Sequence, residues 1–369
     1  MMKMKTMTLL VTLSVLACGV SAGEPGKAAT DSSSEAMLVA QDSSVPNLTE
    51  SRYRKRGIIM DPVASAFVAK SEEGQSSDPI TPEQFRKGLD ALQSDYTMPA
   101  DIEIEDRVLK VGPRGSTPIR IYRKKGVTGP APSIVYMHGA GFVGGGVIAH
   151  ARMVGELARC TEAVIIFVRY TLAPEATYPN AHDQCYAVLE YVHANPGEFS
   201  TTSDHISIAG DSVGGAMAAS CSLRAKEEDG PEIRSQMLFY PAVNLDADAL
   251  DYGKLLNGPW LSKENLEWAW TLYFANNENL KDPLISPYYA SVEQLTEMPT
   301  TLVITGDNDV LHESGETYAK KLIEAGVSVT ANRYFGTIHD FMMLNALSET
   351  PSARAARAEA CFFYNDITH

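Results

Sequence analysis

Five stretches of the chain are apolar along almost their whole length, and segments of helical length separate one from the next. The five apolar runs are Ser133–Met137, Ala163–Val168, His205–Ala209, Gln236–Tyr240 and Thr301–Thr305. The helical segments are 149–160, 178–195, 212–228, 262–275 and 311–325. Apolar strands that alternate with helices predict an α/β fold, in which a parallel sheet is covered by helices on both faces.

Three further strands extend this sheet. Residues 102–111 alternate between apolar and polar side chains, as a half-exposed strand does. Segments 118–123 and 327–334 are also predicted strands. We assign residues 99–369 to one catalytic domain.

Two other regions predict a cap. Residues 46–98 have a helical pattern that prolines divide into short helices. The segment at about 244–277 interrupts the strand–helix alternation and contains all three tryptophans. Because open α/β sheets bind ligands at the carboxyl ends of their strands, we expect both regions to cover that edge.

The N-terminus has the features of a targeting segment. Two lysines precede an apolar run over 7–20, which is too short to span a bilayer, and small residues allow cleavage after Ala22. Residues 1–22 are therefore predicted as a signal peptide and 23–45 as a flexible linker. The alternative is a lipoprotein anchored through Cys18. Both interpretations place the mature protein outside the cytoplasm, secreted or periplasmic.

Charge and cysteine content exclude some functions. The 369 residues carry a formal net charge of −15, which argues against nucleic acid as a partner. The cysteines beyond Cys18 form no C-x-x-C pair, so neither a zinc nor a redox site is expected. They are Cys160, Cys185, Cys221 and Cys361. An oxidising compartment permits disulfides, but the pairing stays open, and small buried residues are the alternative.

The segment Gly210–Gly215 carries the strongest chemical signal. Its Gly-Asp-Ser-Val-Gly-Gly sequence stands between an apolar strand and a predicted helix, which is the setting of a nucleophile elbow. In such an elbow the turn is so tight that glycines are needed, and the serine hydroxyl is pushed out of the sheet. Ser212 is the candidate nucleophile.

A serine nucleophile needs a base and an acid that orients it. His339 follows the last predicted strand and is the candidate base. Asp309 follows the strand before it and is the candidate orienter, which gives the order Ser, Asp, His of the hydrolase fold. Asp307 is the main rival, and Asp282 and Asp340 are weaker ones. An aspartate after a strand can also be a helix N-cap, and Asp309 has that alternative.

The segment His138–Phe142 is the candidate oxyanion loop. Small residues there let the backbone approach a substrate, and we expect the N–H groups of Ala140 and Gly141 to act with that of Val213. A glycine-rich turn is the alternative. Three side chains near these groups are expected to contact the substrate: Phe142, Asp211 and Trp260. For Asp211 the alternative is a role in bracing the turn.

Several other side chains have structural interpretations. Glu175 is expected to pair with Arg169 beneath the site, and Asp183 to be structural. Five histidines show no metal spacing, and surface or capping positions are expected for them: His150, His182, His193, His205 and His312.

Five motifs in order resemble the hormone-sensitive-lipase-like esterases, bacterial family IV, from about residue 95 onward. They are His138–Phe142, Arg169–Glu175, Gly210–Gly215, Asp309–Leu311 and Gly336–Phe341. The resemblance implies an eight-stranded, mostly parallel α/β-hydrolase sheet with a two-part helical cap. It also implies hydrolysis of carboxylic esters with short to medium acyl chains. The chain departs from the family pattern at Ala140 and Val213, whose side chains crowd the site.

Together these features predict a secreted serine carboxylesterase that acts on a small-molecule ester and needs no metal or organic cofactor. A non-catalytic ligand-binding homologue is one alternative, and an amidase or lactonase with the same catalytic residues is another. No membrane-spanning segment is expected. Homodimers are common in the family, and a homodimer is left open here.

Overall fold

The computed structural model describes residues 48–73 and 80–368. The predicted signal peptide, the alternative lipid site at Cys18 and the predicted linker at 23–45 all lie outside the described residues. In the described part of the chain, no helix has the length and apolarity needed to cross a bilayer.

One eight-stranded sheet forms the centre of the molecule, with the strand order β1-β2-β4-β3-β5-β6-β7-β8. The strand β2 is antiparallel to its neighbours β1 and β4, and the remaining pairs are parallel. The strands are β1 Ile102–Leu109, β2 Thr117–Lys124, β3 Ala131–Met137, β4 Val164–Val168, β5 Thr201–Asp211, β6 Ser235–Phe239, β7 Thr300–Asn308 and β8 Val329–Ile338. This topology confirms the predicted α/β-hydrolase fold.

Burial follows the position of each strand in the sheet. Every residue of β4 and β6 is buried, because helices cover both faces there. In contrast, β1 and most of β8 are exposed along the two edges. The continuous apolar pattern therefore belongs to the central strands, as the sequence predicts.

Ten helices occur among the described residues. They are α1 Leu48–Lys55, α2 Pro62–Glu72, α3 Pro82–Leu92, α4 Ala151–Thr161, α5 Asn180–Ala194, α6 Pro196–Phe199, α7 Val213–Glu227, α8 Lys263–Tyr273, α9 His312–Glu324 and α10 Pro351–Thr368. The five predicted helical segments correspond to α4, α5, α7, α8 and α9.

Two of the cysteines form a disulfide. Cys160 at the end of α4 is bonded to Cys361 on α10, with a Cα–Cα distance of 5.8 Å. The bond ties the last helix to the middle of the chain across 201 residues. Cys185 and Cys221 are buried free thiols, which matches the interpretation of small buried residues.

The cap has two parts that contact each other. The N-terminal part consists of α1, α2 and α3, and the insertion contains two short 3-10 turns and α8. Phe67 of α2 lies against Trp260, with ring centroids 5.1 Å apart. Phe85 of α3 makes an edge contact with Trp268 of α8 at 5.4 Å. Aromatic contacts of this kind stabilise the closed arrangement of the two parts.

Candidate active site

Ser212 lies in the sharp turn between β5 and α7. Its backbone has φ 53° and ψ −123°, a strained conformation that turns the side chain out of the sheet. The neighbouring glycines make the turn feasible. A Cβ atom at Gly210 would lie 2.3 Å from the carbonyl oxygen of Gly214, and one at Gly214 would lie 2.0 Å from that of Met137. The local geometry is that of a nucleophile elbow.

The three predicted triad residues lie together at the carboxyl ends of the strands. The Oγ atom of Ser212 is 3.0 Å from Nε2 of His339. On the other side of the ring, Nδ1 of His339 is 2.7 Å from Oδ2 of Asp309. The second oxygen of Asp309 accepts a hydrogen bond from the N–H of Leu311 at 2.9 Å. The aspartate therefore orients the imidazole and also holds the turn that precedes α9, whose N-cap position is occupied by Leu311.

Opposing effects act on the charge of His339. The residue is 2% exposed, and burial by itself disfavours an imidazolium. The carboxylates of Asp309 and Asp340 outweigh burial, so the pKa of His339 is raised to about 9. The site is therefore arranged to stabilise a protonated histidine, the species that forms when serine transfers its proton.

The rival aspartates occupy other positions. Asp307 lies on β7, and its N–H donates to Thr337 Oγ1 at 3.3 Å. Asp282 accepts the N–H of Leu284 within a turn at 2.9 Å. Asp340 approaches the opposite nitrogen of the His339 ring, 3.4 Å from Nε2. Among the described residues, Asp309 is the acid that binds Nδ1.

The oxyanion loop follows β3 and runs beside the elbow. A Cβ atom at Gly139 would lie 3.0 Å from Cβ of Ser212, which shows how closely the loop passes the nucleophile. Ala140 and Gly141 both have positive φ, 71° and 66°. Within the described chain, the N–H groups of Ala140, Gly141 and Val213 make no hydrogen bond with protein atoms. They remain available for a substrate oxygen.

Two of the three predicted substrate contacts are fully buried in the structure. Phe142 is fully buried, and its ring stacks on Tyr273 of α8 with centroids 4.0 Å apart. This contact holds the oxyanion loop against the cap. Asp211 is fully buried as well, and its carboxylate is held by Tyr136 and His150. Trp260 is half-buried in the cap, and its Nε1 donates to Asp340 Oδ2 at 3.0 Å.

A buried polar cluster behind the elbow is absent from the sequence predictions. Asp211 Oδ1 accepts a hydrogen bond from Tyr136 at 2.7 Å, and its Oδ2 is 3.1 Å from His150 Nε2. Burial favours the neutral forms of both partners, but their mutual attraction lowers the pKa of Asp211 and raises that of His150. Tyr136 within the mostly apolar β3 was a usable signal, because a buried phenol needs a partner.

The structure also corrects the expectation for other histidines. His150 and His182 are buried and not at the surface, although His150 does occupy the N-cap position of α4, without a side-chain capping bond. His182 Nδ1 is 2.9 Å from the hydroxyl of Tyr273. Burial lowers the pKa of His182 to about 3. His138 at the start of the oxyanion loop stacks on Tyr170 at 4.2 Å, and burial lowers its pKa to about 3 as well. The His138 and His182 rings are therefore neutral and packed among aromatic side chains, in contrast to His150, which faces Asp211.

Glu175 has a different partner from the predicted one. It forms two hydrogen bonds with Arg86 of α3, at 2.7 and 2.6 Å, whereas Arg169 approaches Asp106 at 3.8 Å. Arg86 also donates to the carbonyl oxygens of Val143 and Ala173 at 2.7 Å each. The N-terminal cap is therefore joined to the segment that follows the oxyanion loop. In the described ranges, no cluster of three or more potential ligands could hold a metal ion.

Comparison with known proteins relates this site to others. A family model described as the alpha/beta hydrolase fold matches residues 134–343. The chain is 37% identical over 295 residues to an α/β hydrolase of Acanthamoeba polyphaga mimivirus, which covers 80% of this chain and 84% of the viral protein. It is 30% identical over 303 residues to an esterase of Fusarium pseudograminearum, covering 80% of this chain and 92% of the fungal protein.

A solved structure is similar along most of the molecule. It is a thermostable esterase from Pseudomonas putida, 33% identical, with a TM-score of 0.80. The alignment covers 84% of this chain and 98% of the bacterial esterase.

Proposed function

We propose that this protein is a secreted serine carboxylesterase that works through an acyl-enzyme. The chain belongs to the α/β hydrolases, in the hormone-sensitive-lipase-like group of carboxylic ester hydrolases. The observation that carries the proposal is the continuous contact from Asp309 through His339 to Ser212. In this arrangement a serine hydroxyl can lose its proton to a base that is already oriented.

The first half of the reaction forms the acyl-enzyme. Oγ of Ser212 attacks the ester carbonyl carbon while Nε2 of His339 takes the serine proton. The carbonyl oxygen becomes an oxyanion, which the N–H groups of Ala140, Gly141 and Val213 bind. As the tetrahedral intermediate collapses, His339 returns the proton to the departing alkoxide, and the alcohol leaves.

The second half releases the acid. His339 takes a proton from water, and the resulting hydroxide attacks the acyl carbon of the ester on Ser212. When this intermediate collapses, the proton passes to Oγ and the serine is regenerated. Asp309 accepts a hydrogen bond from Nδ1 throughout, which keeps Nε2 free to move the proton in both halves.

We propose short to medium acyl chains as the preferred substrates. The methyl of Ala140 and the side chain of Val213 occupy space beside the nucleophile that glycine and alanine leave open elsewhere in the family. The cap adds to this crowding, because a Cβ at Gly141 would lie 2.8 Å from Cβ of Ala269 on α8. A long acyl chain therefore has little room above the oxyanion loop.

The proposed export to an oxidising compartment has two supports. The N-terminal sequence has a basic, then apolar, then small-residue pattern. The disulfide between Cys160 and Cys361 is the second support, because such bonds persist mainly outside the cytoplasm.

A series of p-nitrophenyl esters from acetate to palmitate tests the acyl preference. We expect the highest kcat/KM at a short or medium chain, and a maximum at palmitate would contradict the proposal.

The matched p-nitroanilides distinguish an esterase from an amidase, since we expect slower amide hydrolysis. A fluorophosphonate probe should add to Ser212, and absence of any adduct would favour the non-catalytic alternative.

A further inference from the structure

Asp340 lies against the catalytic histidine without being its established orienter. It directly follows His339 and has φ 64°, a left-handed conformation that turns its side chain back towards the ring. Its Oδ1 atom is 3.4 Å from Nε2 of His339, the nitrogen that faces Ser212. The side chain is 13% exposed. A second carboxylate therefore flanks the side of the ring on which the proton moves.

The cap holds this carboxylate in place. Oδ2 of Asp340 accepts a hydrogen bond from Nε1 of Trp260 at 3.0 Å. Trp260 in turn packs against Phe67 of α2, so both parts of the cap contribute to its position. Oδ1 is buried and has no hydrogen-bond partner among the described residues. Such an oxygen is costly to maintain unless a charge faces it, and the nearby charge is that of His339.

The surroundings of His339 supply no other carboxylate on that side within the described chain. Asp309 binds Nδ1, and the charge of Asp211 is offset by its contact with His150. Tyr240 presents its ring to the imidazole at 5.1 Å, and burial raises the pKa of its phenol well above 10, so it stays neutral. Burial also raises the pKa of Asp340, which the charge of His339 opposes.

We propose that Asp340 is a positioning residue, fixed by Trp260 of the cap, that stabilises the imidazolium of His339 from the side of Ser212. The proposal rests on the proposed function, because it assigns a role in the same proton transfer. This role links the position of the cap to catalysis. When the cap moves away, Trp260 no longer orients the carboxylate of Asp340, and the imidazolium of His339 becomes less stable.

The sign of the expected pH effect follows from the charge. A carboxylate near the imidazole favours its protonated form, so the acid limb of kcat/KM lies at high pH in the wild type. In Asp340→Asn, we expect the midpoint of the acid limb of kcat/KM to move to lower pH by about one unit. The plateau at high pH should fall about tenfold, because the imidazolium formed in the transition state has lost a stabilising charge. A variant that is merely less stable would lower the whole profile and leave its midpoint unchanged.

Two further variants sharpen the test. Trp260→Phe keeps an aromatic ring against Phe67 but removes the N–H group that donates to Asp340. We therefore expect the midpoint of the acid limb to move to lower pH, but less than in Asp340→Asn. In the double variant Asp340→Asn/Trp260→Phe, we expect the same acid-limb midpoint as in Asp340→Asn alone, because Trp260 acts through Asp340. Asp307→Asn is the matched control that removes a nearby carboxylate outside contact with the ring.

The decisive measurements are the pH profile of p-nitrophenyl butanoate hydrolysis and the NMR titration of the His339 ring in the same proteins. The proposal is overturned if the midpoints of the pH profile and of the His339 titration move no further in Asp340→Asn and Trp260→Phe than in Asp307→Asn. If the wild type hydrolyses no ester, the proposed function fails, and the NMR titration still decides the effect of Asp340 on His339. If Asp340→Asn does not fold, Trp260→Phe decides by itself.

Discussion

At the scale of single residues, the site depends on side chains delivered by three separate loops. Ser212 comes from the turn after β5, Asp309 from the loop after β7 and His339 from the end of β8. The sequence predicts this group because each residue stands directly after a recognisable strand, in the order that the fold requires. It does not predict the pairing of Asp211 with His150, because the partners are 61 residues apart and no local pattern connects them.

The choice between Asp309 and Asp307 as orienter is a prediction at this scale. Asp309→Asn should lower kcat about 10,000-fold, since the amide no longer holds the imidazole in the required tautomer. Asp307→Asn, the control, should keep the wild-type kcat because its side chain lies away from the ring. Steady-state kinetics with p-nitrophenyl butanoate measure both. A large loss in the Asp307 variant, with normal kinetics in the Asp309 variant, would reverse the assignment.

At the scale of elements, backbone geometry positions the catalytic groups. The central strands and five helices follow from the apolar pattern, because burial on both faces leaves a continuous signal in the sequence. The last helix, α10, is harder to recognise, since three of its buried residues are alanines: Ala353, Ala356 and Ala360. The contacts between the two parts of the cap also escape prediction, because they join segments almost 200 residues apart.

The elbow between β5 and α7 provides a prediction at the scale of elements. Gly214→Ala places a methyl group 2.0 Å from the carbonyl oxygen of Met137, so the turn must shift. We expect the free energy of unfolding to fall by about 3 kcal/mol or more. Gly197→Ala is the control, because a Cβ there meets no atom within 4 Å, and a change below about 1 kcal/mol is expected. Urea denaturation compares the two, and equal stabilities would refute the steric argument.

At the scale of the whole molecule, one covalent bond connects distant parts of the chain. The disulfide joins α4 to α10, and it closes a loop long enough to restrict the unfolded chain strongly. The sequence leaves this pairing open because four cysteines in helical segments are compatible with several partners. The three-dimensional proximity of α4 and α10 decides it.

Thiol mapping of the purified protein tests the assigned disulfide. Denatured without reductant, the mature chain should be alkylated at Cys185 and Cys221, and at Cys160 and Cys361 only after reduction. Mass spectrometry of the same sample should show a chain that begins after Ala22. Replacing both disulfide cysteines by alanine should lower the free energy of unfolding by about 2–4 kcal/mol. Alkylation of all four before reduction would contradict the assigned bond, and a lipid on Cys18 would favour the lipoprotein alternative.

Removal of the Ser212 hydroxyl tests whether this side chain is the nucleophile of a carboxylesterase. The kcat of p-nitrophenyl butanoate hydrolysis is measured for the wild type and for Ser212→Ala, with the melting temperature of each as a check on folding. We expect kcat to fall by at least about 10,000-fold at an unchanged melting temperature, because no acyl-enzyme can form without the serine hydroxyl. A Ser212→Ala protein that hydrolyses the ester at the wild-type rate would contradict it.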